Sequence, residues 1–162
     1  MPIIKLETIV KAPIERVFDL ARSIDLHKAT MTKYKEKVVA GVTTGFINLN
    51  ETVTWEATHF GIRQKLTSKI TALERPRHFC DSMVKGAFKR FDHDHFFEES
   101  NGQILIKDVF DYDSPLGILG NIADWLFVES HLREMLAERN QIIKAAAESE
   151  DWRKFLNGTP SS

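Results

Sequence analysis

The chain has 162 residues, 43% hydrophobic and 28% charged, a length and composition that predict one globular domain and exclude collagen-like, disordered and membrane-embedded classes. Lys+Arg 22 against Asp+Glu 23 gives a formal net charge of -1, which supplies no positive field for non-specific binding to nucleic acid or an anionic membrane. Phenylalanine is the outlier: there are 11, seven of them from Phe60 to Phe110, more than closing a small core requires.

Leu6, Thr8 and Val10 alternate with Lys5, Glu7 and Lys11, the pattern of a strand with one buried face. Charges break up the apolar residues from Met1 to Glu7, so this segment reads as strand and not as signal peptide or membrane span. Pro13 suits the first turn of a helix, where its missing N–H has no intrahelical partner, and Ile14, Val17, Phe18 and Ala21 follow at helical spacing. Ser23–Met31 predicts a second short helix or a turn, and no Gly-rich phosphate loop joins it to the strand. Tyr34–Ala40, Phe46–Asn50, Glu51–Phe60, Ile62–Leu73, His78–Lys85, Phe88–Glu98 and Gln103–Tyr112 are strand candidates. Gly61, Arg75-Pro76, Gly86 and Asn101-Gly102 supply hairpin turns between them, and the spacing leaves no room for crossover helices, so the sheet is expected to be antiparallel.

Beyond Pro115, Gly117 and Gly120 the apolar residues Ile122, Trp125, Leu126, Leu132, Met135, Leu136, Ile142, Ile143 and Ala146 recur at helical spacing, with Glu129, Arg133, Glu138 and Lys144 on the other face. Residues 1–150 therefore read as a single domain and 151–162 as a tail that frays after Phe155. The order of elements predicts an α+β helix-grip fold: a curved antiparallel sheet wrapped around the long C-terminal helix, with two short helices after the first strand. A curved sheet and a helix leave an elongated cavity between them. The lone cysteine, Cys80, excludes an internal disulfide and a Cys-rich zinc site. It suits a cytoplasmic location and lies in an apolar-aromatic strand, where a thiol is inert packing.

Ala12-Pro13-Ile14-Glu15-Arg16-Val17-Phe18 resembles the strand-to-helix signature of the START-like, birch-pollen-allergen-like superfamily known as SRPBCC, which includes polyketide cyclase/dehydrase-type and lipid-transport members. Val53-Thr54-Trp55-Glu56-Ala57-Thr58-His59-Phe60-Gly61, Gly86 to His95 and Ser114-Pro115-Leu116-Gly117 resemble a bacterial subgroup of unassigned activity. That subgroup is sometimes labelled cell-division-related and also occurs joined to NAD-dependent epimerase-like domains. The resemblance covers residues 3–148 and implies the fold and an internal pocket, but no shared catalytic set.

Alternation puts Phe91, His93, His95 and Phe97 on one inward face and Phe96 on the other, and puts Asp108 on a face with Ile104, Ile106, Phe110 and Tyr112. His93, His95 and Asp108 are thus candidates for acid–base work; the plainer reading, which the sequence favours, is that such residues satisfy one another or face solvent at a strand end. A His-x-His pair can also hold a metal with His59 or Asp108 as third ligand, but nothing in the sequence fixes that third ligand, and neither metal nor cofactor is expected. Trp55 and His59 share a face with Val53 and Ala57, as core or as pocket wall. Trp125, Phe127 and Met135 divide between core and cavity lining. Lys85, Arg90 and Arg63 are possible anchors for an acidic ligand group, with Arg63 placed beside Lys65 and Lys69 on a solvated face. The loop Asp113–Gly120 reads as a gate or as an ordinary turn.

The expected function is binding of a small hydrophobic ligand, lipid-like or aromatic, by Trp55, His59, Phe91, His93, His95, Phe97, Asp108, Phe110, Trp125 and Met135. One alternative is a cyclase/dehydratase-like acid–base enzyme; the other is an interaction module for an epimerase-like partner, with the cavity filled by the protein's own aromatic side chains.

Overall fold

The computed structural model describes residues 2–30, 32–59, 61–113 and 123–156, with the side chains of residues 34 and 123–125 left out. The chain forms β1 (Ile3–Val10), α1 (Ile14–Ala21), α2 (Ile24–Thr30), a single 3-10 turn at Thr32–Tyr34, β2 (Lys37–Gly41), β3 (Thr52–His59), β4 (Ile62–Glu74), β5 (His78–Lys85), β6 (Arg90–Ser100), β7 (Gln103–Asp113), α3 (Ala123–Ala147) and α4 (Trp152–Leu156). The seven strands make one sheet in the order β1-β7-β6-β5-β4-β3-β2, each pair antiparallel. This is the expected helix-grip architecture, with α3 packed on β1 and against α1 and α2.

Sequence accounts for the local choices. Pro13 sits one step earlier than expected: its ψ of 142° is extended, so it is the N-cap, and its carbonyl accepts the Val17 N–H at 3.1 Å. The helix it opens buries Ile14, Val17, Phe18 and Leu20. Asn101 and Gly102 both take positive φ, 52° and 75°, as a two-residue hairpin between Ser100 and Gln103 requires. That tight turn fixes the β6–β7 register, and the register sets His95 opposite Asp108 and His93 opposite Phe110.

Two expectations differ from the structure. Phe46–Asn50 is not a strand; it makes one bridge, Ser23 to Phe46, and then turns at Asn50, whose φ of 67° no strand tolerates. Residues 152–156 of the expected tail form α4, where Arg16 lies over the Trp152 ring at 4.2 Å and Trp152, Phe155 and Leu156 pack on the core.

The core falls into two clusters. One, beneath α1 and α2, is closed by Phe18, Phe79 and Phe97, whose rings meet at 5.2 to 6.0 Å. The other gathers Ile4, Phe91, Phe110, Tyr112 and Leu136, with Phe88, Leu66, Met83, Val128 and Leu132 against them.

Candidate functional site

Between the sheet and α3 lies a cavity of about 310 Å³. Trp55, Ala57, Phe88, Phe91, Phe110 and Leu136 form its apolar wall, and these aromatic side chains line the space without filling it. His59, His93 and Met135 also line it, so of the ten residues expected around a ligand Trp55, His59, Phe91, His93, Phe110 and Met135 reach the cavity. His95 and Asp108 stand behind His93, away from the lining, and Phe97 does not approach it: its ring is committed to Phe18 and Phe79 in the closed core. The side chain of Trp125 lies outside the described residues, as do Phe60 and residues 114–122, the greater part of the expected gate. Phe127 is 68% exposed and Leu126 is exposed too, because the start of α3 turns that side of the helix to solvent.

Burial along β6 and β7 follows the alternation: Phe91, His93, His95 and Phe97 point inward, as do Ile104, Ile106, Asp108, Phe110 and Tyr112. Asp108 is the hub, 1% exposed. Its Oδ1 accepts from His93 Nε2 at 2.9 Å and from an Arg139 Nη at 2.8 Å, and lies 3.1 Å from His95 Nδ1; its Oδ2 accepts from Asn140 Nδ2 at 2.5 Å. Asn140 Oδ1 in turn accepts from Arg139 at 2.9 Å, and Asn140 Nδ2 reaches Thr8 Oγ1 at 3.3 Å. On the cavity side, Asp81 Oδ1 stands 2.8 Å from His95 Nε2 and 3.8 Å from His93 Nδ1. The two imidazoles are 3.8 Å apart, and His95 stacks on Phe79 at 4.1 Å.

Burial alone would raise the Asp108 carboxyl, but the Arg139 charge and the hydrogen bonds from both histidines hold it well below the usual carboxylate range. Asp81 is also held low: burial opposes its charge, and the His95 hydrogen bond and the charges of His93, His95 and Arg139 outweigh it. Burial, and then the neighbouring His95, push His93 down to about 4, so its ring is neutral at pH 7.

Three residues of this network carry signals that sequence reading passes over. Arg139 and Asn140 fall on the buried stripe with Leu136 and Ile143, three and four residues away, but a charged and an amide side chain read as solvated. Asp81 shares an inward phase with Phe79 and Met83, and the β5–β6 register sets it opposite His93. Two of the three expected cationic anchors go elsewhere: Arg63 pairs with Glu56, and Arg90 with Asp92, Asp111 and Asp113.

A second polar group closes the other side of the cavity. His59 Nδ1 and His131 Nε2 are 3.0 Å apart across β3 and α3, and His27 lies 4.3 Å from the Trp55 ring and 3.8 Å from Glu36. The Glu36 side chain is 9% exposed, and its Oε2 has no hydrogen-bond partner among the described residues. Burial lowers the pKa of both His59 and His131. Cys80 is buried and its thiol is pushed up to about 11, chiefly by burial, so it is protonated at neutral pH, as expected of packing.

A family model described as polyketide cyclase / dehydrase and lipid transport matches residues 10–140. No curated protein matches the chain by sequence. The structure is similar to that of a Thermus thermophilus protein with a TM-score of 0.70 at 17% identity, covering 90% of this chain and 99% of that one. It is likewise similar to major latex-like protein 151 of Panax ginseng (TM-score 0.66, 16% identity, 90% and 97% covered) and to protein Ms6760 of Mycobacterium smegmatis (0.64, 17%, 88% and 88%). These likenesses show a shared fold. No helix among the described residues is long and apolar enough to cross a membrane.

Proposed function

The chain belongs to the polyketide cyclase / dehydrase and lipid transport family, and on that premise we propose that it binds a small hydrophobic molecule, aromatic or lipid-like, between the sheet and α3. The observation that carries this reading is the cavity of about 310 Å³ walled by Trp55, Phe88, Phe91 and Phe110, a size and lining that suit a small ligand. Glu36 narrows the chemistry. A buried carboxylate oxygen without a partner costs free energy on the order of 1–3 kcal/mol or more, and a ligand hydroxyl or amine placed there would satisfy it. The favoured ligand is an apolar body with one hydrogen-bond-donating group.

Native mass spectrometry of the purified protein for a co-purified molecule, followed by thermal shift with a panel of lipids and aromatic polyketides, tests the reading. The expected result is a bound small molecule or a stabilising panel member, and loss of that binding in Ala57→Leu, which fills the cavity from β3 while folding normally. An empty spectrum and no shift from any panel member would overturn it.

A second reading, acid–base catalysis on the bound molecule, is favoured by the His93–Asp108 bond, which orients a neutral imidazole at the cavity wall. Mass change of a bound panel compound on incubation, lost in His93→Gln, is its expected signature; an unchanged compound counts against it.

A further inference from the structure

Asp81 Oδ1, His93 Nδ1 and His95 Nε2 all lie within 4.8 Å of one another. From this convergence we propose that Asp81, His93 and His95 form a binding site for one divalent first-row transition-metal ion, open toward the cavity. Two nitrogens and one carboxylate oxygen are a donor set for zinc, iron(II) or cobalt(II), and not for magnesium or calcium, which take oxygen. The sequence leaves a His-x-His pair without a fixed third ligand; the β5–β6 register supplies Asp81 directly opposite His93.

The groups behind the two rings support the site. Metal-bound imidazoles characteristically give their other N–H to a carboxylate or carbonyl, which fixes ring and tautomer and strengthens the ligand. Here one buried carboxylate oxygen, Asp108 Oδ1, accepts from the far nitrogen of His93 at 2.9 Å and lies 3.1 Å from the far nitrogen of His95, which an Arg139 Nη also meets at 3.2 Å. The near nitrogens both turn to Asp81. Charge also favours a cation: the Asp81 and Asp108 carboxylates meet a single guanidinium, Arg139, in this cluster. When an ion binds, the proton between His95 Nε2 and Asp81 moves to His95 Nδ1, facing Asp108; Arg139 gives up its 3.2 Å contact with that nitrogen and keeps its bonds to Asp108 and Asn140. Asp81 and His93 line the cavity, so the remaining coordination positions face whatever occupies it.

The site does not depend on the ligand reading. It competes with acid–base catalysis, because an ion on His93 Nδ1 takes the lone pair that a base would use.

The test is titration of the full chain, stripped with a chelator, with Zn²⁺ by calorimetry and with Co²⁺ by visible absorption. Binding of one ion per chain and cobalt d–d bands are expected. His93→Gln and Asp81→Asn should lose at least about 100-fold in affinity, and Asp108→Asn about 10–100-fold, while His78→Gln, whose ring pairs with Asp94 outside the cavity, binds as the parent does. Ring-nitrogen NMR of the unaltered protein guards against misfolded variants: Zn²⁺ should shift His93 and His95 and leave His59 and His131 in place. No binding below millimolar Zn²⁺, or shifts confined to His59 and His131, would overturn the proposal.

Discussion

The two ends of β6 make different interiors from similar residues. At one end Phe97 meets Phe18 and Phe79 ring to ring and the space closes; at the other Phe91 meets Phe110 at 5.0 Å and Phe88 at 6.2 Å, and a cavity remains beside them. The difference lies in what covers the sheet. The closed end sits beneath α1, whose Phe18 and Leu20 plug it, whereas the hollow end faces α3, whose residues toward the cavity are Val128, His131, Leu132, Met135, Leu136 and then Arg139. Aromatic content alone does not tell a core from a wall; the helix opposite decides.

The largest effect that would break this contrast is truncation. Phe97→Ala should destabilise by about 3–5 kcal/mol, the range for buried aromatic truncation. Phe91→Ala, whose side chain already borders a space, should cost roughly half as much and instead weaken binding of apolar probes. Urea unfolding of the two variants compares them directly, and equal losses would mean that the hollow end is packed as tightly as the closed one.

Between the two ends the polar network offers a second lever. Arg139→Met strands the Asp108 carboxylate in the interior, which should cost on the order of 3–5 kcal/mol. The double variant Arg139→Met with Asp108→Leu should recover part of it, since the stranded charge is gone while His93 Nε2–H and Asn140 Nδ2 lose their acceptor. Thermal unfolding of the singles and the double supplies the cycle; additive losses would show that the two do not act as a pair.

The smallest effect concerns pH. His59 and His131 are held below their ordinary pKa chiefly by burial. Just below pH 6.5 the unfolded chain therefore binds more protons than the folded one, and stability falls as the pH drops through that window. His59→Gln should flatten part of this slope between about pH 7.5 and pH 5.5, as read from urea midpoints; an unchanged slope would place the titration elsewhere.

Much of the fold is legible in the sequence, because it rests on periods. Alternation assigns the faces of β6 and β7, the Asn101-Gly102 turn pins their register, and helical spacing marks α3. Alternation does not say how far along β6 each side chain sits relative to α1 and α3, so it groups Phe97 with Phe91 although the two serve different interiors. Arg139, Asn140 and Asp81 escape sequence reading for another reason. Their side chains favour water, and only the partners brought by β5, β6 and β7 make their burial tolerable. Phe46–Asn50 misleads because a short apolar run resembles a strand whether or not a neighbour is available to pair with it.

The polar band formed by His93, His95, Asp108 and Arg139 also acts as a stop. An apolar guest that slid toward Phe97 would have to strip these groups of their partners, so the band sets the depth to which a hydrophobic chain can enter. With about 310 Å³ in front of it, close to the lower end of ordinary ligand pockets at about 300 Å³, the cavity has room for a compact ring system, and under the proposed function a long acyl chain would leave its far end in solvent.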